Sequence, residues 1–287
     1  MSRRYDLHTH STASDGTLTP SELIALAAAK GVDVLALTDH DTLDGLTSAQ
    51  AAADAVGLTL SPGVEISVTW GRRTIHIIGL GINCRNQVLR DGLAGLSAYR
   101  HRRAEVIGHR LSREGIEGAF EGARAFSSGQ LIGRTHFARF LVQQGYVSNE
   151  REVFRHYLVK GKPGHVAGDW ASLEAAVGWI RDAGGQAVIA HPGRYRFTHA
   201  KLLRLISEFV ELGGVGIEVV SGNHTRDESL LFACYAQENH LLASVGSDFH
   251  GPGNPWIGLG SMASLPSFCT PIWTDWETQR LPRAVSG

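Results

Sequence analysis

The first strand-like segment of this chain reads Arg4-Tyr5-Asp6-Leu7 and runs directly into His8-Thr9-His10, with Asp15 in the polar loop that follows. Alternating residues of a strand point to the same side, so the two imidazoles are expected to face one place. Such a pair is also found on protein surfaces and in cores. Whether this histidine pair belongs to a functional site therefore depends on the other polar side chains that the fold brings beside it.

Strand-like and helix-like segments alternate after this motif. The first helix is predicted to open at Thr19-Pro20-Ser21-Glu22, which combines a capping threonine, a proline in the first turn and an acidic residue. Further strands are predicted at residues 32–37, 58–68, 73–82, 187–190, 216–220 and 241–245, and further helices at 46–56, 173–183, 200–212 and 227–239. This alternation predicts parallel strands with helices outside them.

A basic helical segment interrupts the alternation. Residues 98–165 carry a net charge of +6 while the rest of the chain carries −7. Segregation of this kind suggests that the basic segment faces an anionic ligand, although a solvated arginine-rich helix is the alternative. We predict four parts: a first barrel part at 1–97, a helical basic insertion that caps the substrate at 98–165, a second barrel part at 166–262 and an irregular C-terminal tail at 263–287.

Composition is that of an ordinary globular chain. Its 287 residues are 43% hydrophobic and 19% charged, with a net charge of −1. A chain of this size needs no disulfide or structural metal to fold, so metals would serve chemistry. Three widely spaced cysteines without a CxxC motif, and the absence of a long apolar run, predict a cytoplasmic protein that does not enter membranes. A net charge near zero argues against binding long duplex nucleic acid.

Polar residues recur at the ends of the predicted strands. The candidate set comprises six histidines and three carboxylates: His8, His10, Asp15, His40, Glu65, His76, His191, Asp248 and His250. In a parallel α/β barrel the carboxyl ends of all strands open onto one face, so side chains from both ends of the chain converge there. The places of Asp15, Glu65 and His76 depend most on strand register, and a structural role is the alternative for each.

Imidazole and carboxylate ligands suit divalent metals such as Mn²⁺, Fe²⁺ and Zn²⁺. Nine ligands are too many for one ion, so the set predicts two or three metal ions, with a carboxylate such as Glu65 able to bridge a pair. Two bridged ions hold a hydroxide and clamp the oxygens of a phosphoryl group in an in-line displacement. The predicted catalytic group is this bridging hydroxide, and the predicted reaction is hydrolysis.

Five motifs carry a family resemblance: Asp6-Leu7-His8-Thr9-His10-Ser11-Thr12-Ala13-Ser14-Asp15-Gly16, Leu37-Thr38-Asp39-His40-Asp41-Thr42, Pro62-Gly63-Val64-Glu65, His191-Pro192 and Gly246-Ser247-Asp248-Phe249-His250. Together they resemble the PHP family, named for polymerases and histidinol phosphatases. The resemblance implies a distorted (β/α)7 barrel holding two or three metals, often manganese. It also implies three ligand sets: His8, His10, Glu65 and Asp248; Glu65, His76 and His191; and Asp15, His40 and His250.

The insertion resembles one branch of this family, the nucleoside 3′,5′-bisphosphate phosphatases, which are also described as 5′-to-3′ exoribonucleases on short RNA. The segments Ile132-Gly133-Arg134-Thr135-His136-Phe137-Ala138-Arg139 and Lys160-Gly161-Lys162-Pro163 carry that likeness, with Thr135 where the branch commonly has proline. The implied substrates are a nucleoside 3′,5′-bisphosphate, which loses its 3′-phosphate, and short 5′-phosphorylated RNA. Histidinol phosphate hydrolysis and a catalytically silent regulatory module are the alternatives. Oligomeric state is open.

Three residues are predicted to contact the substrate. Arg134 follows Gly133, which permits close approach, and a guanidinium binds phosphate through two parallel hydrogen bonds. Arg194 lies three residues after His191 and His224 follows the strand at 216–220, so both are expected at the rim of the site. A surface salt bridge is the alternative for the arginines, and a surface position is the alternative for His224.

Overall fold

The computed structural model describes residues 3–129, 131–253, 257–274 and 276. Within these residues, seven strands form one sheet in sequence order, curled into a nearly closed barrel. The strands are β1 (Tyr5–Thr9), β2 (Val34–Leu37), β3 (Thr59–Trp70), β4 (Arg73–Leu80), β5 (Gln186–Ile189), β6 (Gly216–Ser221) and β7 (Leu242–Gly246). The predicted α/β barrel with seven strands is confirmed.

One strand departs from the predicted parallel arrangement. β4 runs antiparallel to both β3 and β5, whereas the other neighbouring pairs are parallel. The prediction was wrong here because an apolar strand has the same pattern in either direction. Only Gly71 and Arg72 connect β3 to β4, both with positive φ (53° and 61°). A two-residue connection of this kind joins antiparallel strands only.

The barrel closes where the last strand meets the first. The N–H of His10 donates to the carbonyl of Phe249 at 2.9 Å, and the N–H of Asp248 donates to the carbonyl of His8 at 2.8 Å. These two backbone bonds join motifs that lie some 240 residues apart in sequence. They place His8 and His10, at the end of β1, beside the polar residues after β7.

Helices cover the outside of the barrel: α1 (Pro20–Ala29), α2 (Leu46–Val56), α7 (Leu173–Asp182), α8 (His199–Glu211) and α9 (Arg226–Glu238). α1 begins at the predicted Thr19 cap, whose side chain and Glu22 form a reciprocal capping box. α8 buries Leu202, Leu205, Ile206 and Phe209 at helical spacing. Each such side chain stabilises the fold by roughly 1.5–3 kcal/mol relative to exposure.

Helices also make up the segment between β4 and β5: α3 (Gln87–Arg113), α4 (Ala119–Ala125), α5 (Arg134–Gln143) and α6 (Glu150–Val153), the last continuing into a π-helical turn at Phe154–Leu158. Their buried residues, among them Ile107, Leu111, Phe137 and Leu141, form a hydrophobic cluster of their own. α3 is long enough to pack on the barrel with its first half and on this cluster with its second half. The predicted boundary at residue 97 falls within it.

The described part of the C-terminal tail covers the amino-terminal end of the barrel. The ring of Trp273 stacks on Tyr5 at 4.1 Å, and Nε1 of Trp276 donates to Oε1 of Gln186 at 2.7 Å. Apart from a bridge between Pro271 and Ala243, this segment consists of turns and irregular chain. Within the described residues, no helix combines the length and apolar character required to cross a membrane.

Candidate metal centre

The barrel brings all nine candidate ligands to one end. Most of them follow a parallel strand, but His8, Glu65 and His76 lie within β1, β3 and β4. β3 extends past the end of β2, so Glu65 forms a bridge with His40. Because β4 is antiparallel, its first half, which contains His76, lies beside the carboxyl ends of its neighbours.

Four side-chain atoms from the first predicted ligand set form a tight group. Nε2 of His8 lies 3.4 Å from Oε2 of Glu65 and 3.5 Å from Oδ1 of Asp248, and Nε2 of His10 lies 3.3 Å from each of the same two oxygens. All four atoms are buried and, within the described residues, lack a hydrogen-bond partner. Buried polar atoms are rarely left unpaired.

These separations fit a shared cation. Ligand atoms that each lie about 2.1 Å from one ion are about 3.0–3.4 Å apart in octahedral or tetrahedral geometry. Nitrogen and oxygen atoms joined by a hydrogen bond are closer, at about 2.9–3.0 Å. The unpaired atoms and their spacing therefore suit a divalent metal.

The other carboxylate oxygen of Glu65 faces the second predicted set. Oε1 lies 2.8 Å from Nδ1 of His76 and 2.9 Å from Nε2 of His191. Glu65 thus presents one oxygen to each of two groups. This is the arrangement that a bridging carboxylate requires.

The third predicted set gathers around Asp15. Oδ1 of Asp15 lies 3.3 Å from Nε2 of His250 and 3.9 Å from Nε2 of His40, and His10 is close enough to join the same group. Nδ1 of His40 lies 2.8 Å from Oε2 of Glu65, but in an orientation that is not a hydrogen bond. The structure thus brings together the members of all three sets, while their role as ligands stays a prediction.

Opposing charges keep the carboxylates of the cluster ionised. Burial by itself raises the pKa of Glu65, but the imidazoles of His76, His40 and His8 together hold it well below its ordinary value. Burial likewise opposes the low pKa of Asp248, which Arg194, His8 and His250 produce. Burial and the neighbouring His250 lower the pKa of His10 to about 3. Anionic carboxylates beside a neutral imidazole are the forms that bind metals.

Residues outside the predicted set hold the ligands in place. Oε1 of Glu218 pairs with Nδ1 of His8 at 2.9 Å, and Oε2 accepts the N–H of His191 at 2.5 Å. Asp39 accepts hydrogen bonds from the side chains of Ser11 and Ser14, which fixes the loop that leads to Asp15. Glu218 was not among the predicted site residues, although an acidic residue within an apolar strand was the available signal.

A basic cavity of about 390 Å³ lies against this cluster, lined by His76, His191, Arg100, Arg103, Arg134 and Arg194 among others. Arg134 begins α5, and within the described residues its guanidinium has no carboxylate within 4.0 Å. It lies 5.6 Å from the ring of Phe154. Arg194 pairs with Oδ2 of Asp248 yet keeps 49% of its side chain exposed. Both predicted arginines therefore reach the cavity.

His224 lies elsewhere. It lines a separate cavity between the end of β6 and the start of α9. Nδ1 of its ring faces the carbonyl of Val219 at 3.1 Å, and Nε2 accepts the N–H of Gly193 at 3.3 Å. Backbone groups thus engage both nitrogens. The adjacent Asn223, which was not predicted, donates to Oδ2 of Asp248 at 3.1 Å.

The insertion also touches the cluster directly. Oγ1 of Thr135 donates to Oδ2 of Asp15 at 2.9 Å, and Nη2 of Arg139 donates to the carbonyl of Asp15 at 2.5 Å. Oδ1 of Asp15, which accepts no hydrogen bond from the described residues, faces the third group. Thr135 stands where the branch commonly has proline, and its hydroxyl forms this hydrogen bond to Asp15.

Known proteins resemble this chain over nearly its whole length. The PHP domain model matches residues 6–185. A 3′,5′-nucleoside bisphosphate phosphatase of Chromobacterium violaceum is 50% identical over 277 residues, which are 96% of this chain and 97% of that protein. The 5′-3′ exoribonuclease Rnm of Escherichia coli is 43% identical over 275 residues, 95% of this chain and 94% of that one.

A solved structure shares the fold in detail. It is described as an amidohydrolase from Chromobacterium violaceum with bound sulfate and no metal. It is 49% identical, covers 99% of both chains and superimposes with a TM-score of 0.93.

Proposed function

The chain belongs to the PHP domain family, as its motifs predicted, and we propose that it removes the 3′-phosphate of nucleoside 3′,5′-bisphosphates and trims short 5′-phosphorylated RNA from its 5′ end. The proposal rests on the position of the candidate metal ligands next to a basic cavity. Three groups of candidate metal ligands lie side by side, two of them joined through Glu65, and a cavity lined by four arginines opens directly onto them.

The nine clustered side chains would hold two or three divalent ions, for which we favour manganese. Mixed imidazole and carboxylate ligands suit Mn²⁺, and Fe²⁺ and Zn²⁺ share this chemistry. When bound, the ions would supply an activated water and neutralise negative charge on the phosphoryl oxygens. The side chains that hold them are His8, His10, Asp15, His40, Glu65, His76, His191, Asp248 and His250.

The arginines bind and orient the substrate. Arg194 reaches the rim of the cluster through Asp248 and can contact the phosphate that reacts. Arg134, without a carboxylate partner within the described residues, is available to a second phosphate. A guanidinium fixes a phosphate through two parallel hydrogen bonds, which sets both distance and angle. Two phosphates at fixed separation would distinguish a 3′,5′-bisphosphate from a simple monoester.

Hydrolysis adds a water oxygen to phosphorus and breaks the bond between phosphorus and O3′, which leaves with a proton. With a bisphosphate the products are inorganic phosphate and a nucleoside 5′-monophosphate. With RNA the same bond is broken, and the phosphorus stays attached to O5′ of the next nucleotide. One arrangement of residues therefore serves both substrates.

The insertion at residues 98–165 acts in this proposal as the cap that supplies the basic wall of the cavity. Arg100, Arg103 and Arg134 all come from it. Arg103 is fixed by two hydrogen bonds to the carbonyl of Val166, at 3.0 and 3.3 Å. The free thiols of Cys84, Cys234 and Cys269 favour the reducing cytoplasm as the place of action.

Comparing substrates tests the proposal. The Mn²⁺-loaded protein is incubated with adenosine 3′,5′-bisphosphate, histidinol phosphate and a 5′-phosphorylated hexaribonucleotide, and released phosphate and nucleotides are measured. We expect inorganic phosphate and adenosine 5′-monophosphate from the first substrate and 5′-mononucleotides from the RNA. Preference for histidinol phosphate would overturn the substrate assignment. No turnover with metals bound would support a silent regulatory module instead.

A further inference from the structure

A second cavity lies on the other side of the loop that carries His40. Its volume is about 730 Å³. The loop after β2, the start of α2 and the first half of α3 form its walls: Asp41, Thr42, Leu43, Asp44, Leu46, Thr47, Cys84, Arg85, Arg90, Leu93, Ala94 and Ser97. We call it the α2–α3 groove.

One ion pair separates the groove from the cavity at the metal cluster. Nε of Arg100 donates to Oδ2 of Asp41 at 2.6 Å. Asp41 lines the groove and Arg100 lines the cluster cavity, as does His40, the residue next to Asp41 in the chain. Ser97, one helical turn before Arg100 on α3, lines the groove again. The two cavities therefore lie on opposite sides of the Asp41–Arg100 pair.

The charges that face the groove leave a net positive surface. Within the described residues, neither Arg85 nor Arg90 has a carboxylate oxygen within 4.0 Å, and both are exposed. Of the two lining carboxylates, Asp41 is already neutralised by Arg100, and Asp44 is exposed. Among the described residues, the groove thus presents two guanidinium groups without a carboxylate partner and one carboxylate, that of Asp44, without a cationic partner.

The floor of the groove is apolar, and the amino-terminal end of α2 lies at one end of it. Leu46 and Leu93 are buried, and Leu43 and Cys84 are partly buried, which makes an apolar floor beside the arginines. α2 starts at the groove with Gly45 as its N-cap and no side-chain cap. Single-stranded nucleic acids bind positively charged grooves in which cations follow the backbone and aromatic rings or guanidinium planes stack on the bases. The two arginines supply both the cations and the guanidinium planes here.

We propose that the α2–α3 groove binds the nucleotides of an RNA substrate that lie 3′ of the cleaved bond, an inference that rests on the proposed function. With the terminal nucleotide in the cluster cavity, the second nucleotide is attached to the reacting phosphorus and must leave that cavity. The groove begins on the other side of the Asp41–Arg100 pair. Arg85 and Arg90 contact the phosphates, and a base lies against Leu43 and Leu93.

A double variant, Arg85→Gln with Arg90→Gln, tests the groove. Both side chains are exposed, so the fold should tolerate the change. For a 5′-phosphorylated hexaribonucleotide we expect kcat/KM to fall about tenfold, and the dependence of binding on salt to weaken by about 1.4 in log–log slope, since each cation contributes about 0.7 on single strands. Fluorescence anisotropy in EDTA measures binding of the labelled hexamer, and the Kd should rise about tenfold as well. Hydrolysis of adenosine 3′,5′-bisphosphate, too short to reach the groove, should change less than about twofold.

A matched control removes the same charge elsewhere. Arg113→Gln with Arg151→Gln replaces two exposed arginines that do not line the groove. Three outcomes would each overturn the groove assignment. The control variant could lose as much kcat/KM on the hexamer as the groove variant does, or the groove variant could keep the parent's kcat/KM on the hexamer. The groove variant could also lose kcat/KM equally on the hexamer and on the bisphosphate. Failure of the parent protein to hydrolyse the bisphosphate would instead count against the proposed function. If the parent hydrolyses the bisphosphate but does not degrade the hexamer, the groove assignment is wrong and the phosphatase function stands.

Discussion

Glu218 and His8 are joined by a hydrogen bond of 2.9 Å between Oε1 and Nδ1, and both side chains are fully buried. A carboxylate accepts, so Nδ1 of His8 donates this hydrogen bond, and Nε2 is the ring nitrogen that faces Glu65 and Asp248. The other oxygen of Glu218 holds the N–H of His191, whose backbone has a strained φ of 25°. One carboxylate thus orients two candidate ligands.

Replacing Glu218 should therefore weaken metal binding without removing a ligand. For Glu218→Gln we expect metal affinity to fall about 10- to 100-fold, the usual cost of losing the partner of a ligating histidine. Titration of the apoprotein with Mn²⁺ against a competing chelator measures this. Glu211→Gln, an exposed change on α8, is the control. Unchanged affinity in Glu218→Gln would show that His8 needs no such support.

Arg134 should contribute to substrate binding more than to the rate of reaction. A hydrogen-bonded charge pair is worth about 1.5–3 kcal/mol, so Arg134→Ala should raise KM for the bisphosphate about 10- to 100-fold with a smaller fall in kcat. Arg134→Lys restores the charge without the two-pronged geometry and should recover part of the loss. Steady-state kinetics of all three proteins decide this. A large fall in kcat at constant KM would place Arg134 at the reacting phosphate instead.

The stacked pair of Tyr5 and Trp273 should stabilise the amino-terminal end of the barrel. Removing a large, partly buried aromatic ring costs about 3 kcal/mol, so Trp273→Ala should lower the free energy of unfolding by this amount. Urea unfolding monitored by circular dichroism measures it. Phe268→Ala, an exposed aromatic of the same tail, is the control and should change stability little. Equal effects of the two variants would argue against a specific role for the stack.

The position of the site could be predicted from sequence because its residues follow apolar runs. Buried strands read as short apolar segments, and a histidine or aspartate directly after such a segment falls at a strand end wherever the exact boundary lies. His191 and Asp248 are found in this way, each next to its predicted strand. The apolar pattern alone could not place Glu65 at the site, because Glu65 lies inside β3, which is longer than the neighbouring β2.

Features that depend on packing between distant elements were not predictable. The Asp41–Arg100 pair joins residues 59 positions apart and exists only because α3 packs across the loop after β2. The direction of β4 leaves no trace in its apolar pattern, only in the two-residue connection before it. The surroundings of His224 depend on Gly193, which comes from a different strand end.

His136 should make stability depend on pH. Its side chain is 1% exposed, and Nδ1 accepts the N–H of Gly133 at 3.0 Å, so the ring is held neutral. Burial lowers its pKa to about 4 from 6.5. Between these values the unfolded chain binds a proton that the folded chain does not. The stabilisation is therefore complete above pH 6.5 and is lost as the pH falls towards 4, by on the order of 3 kcal/mol in total.

His136→Gln removes this titration, and the amide oxygen of glutamine can still accept from Gly133. The free energy of unfolding, measured in urea at pH 7.5 and pH 5.0, should therefore fall less between the two pH values in the variant than in the parent. Comparing variant with parent cancels the groups that both share, including the histidines of the metal cluster. His109→Gln, an exposed histidine on α3, should keep the parent's dependence. If the parent and His136→Gln lose equal stability on acidification, His136 is not the group that resists protonation.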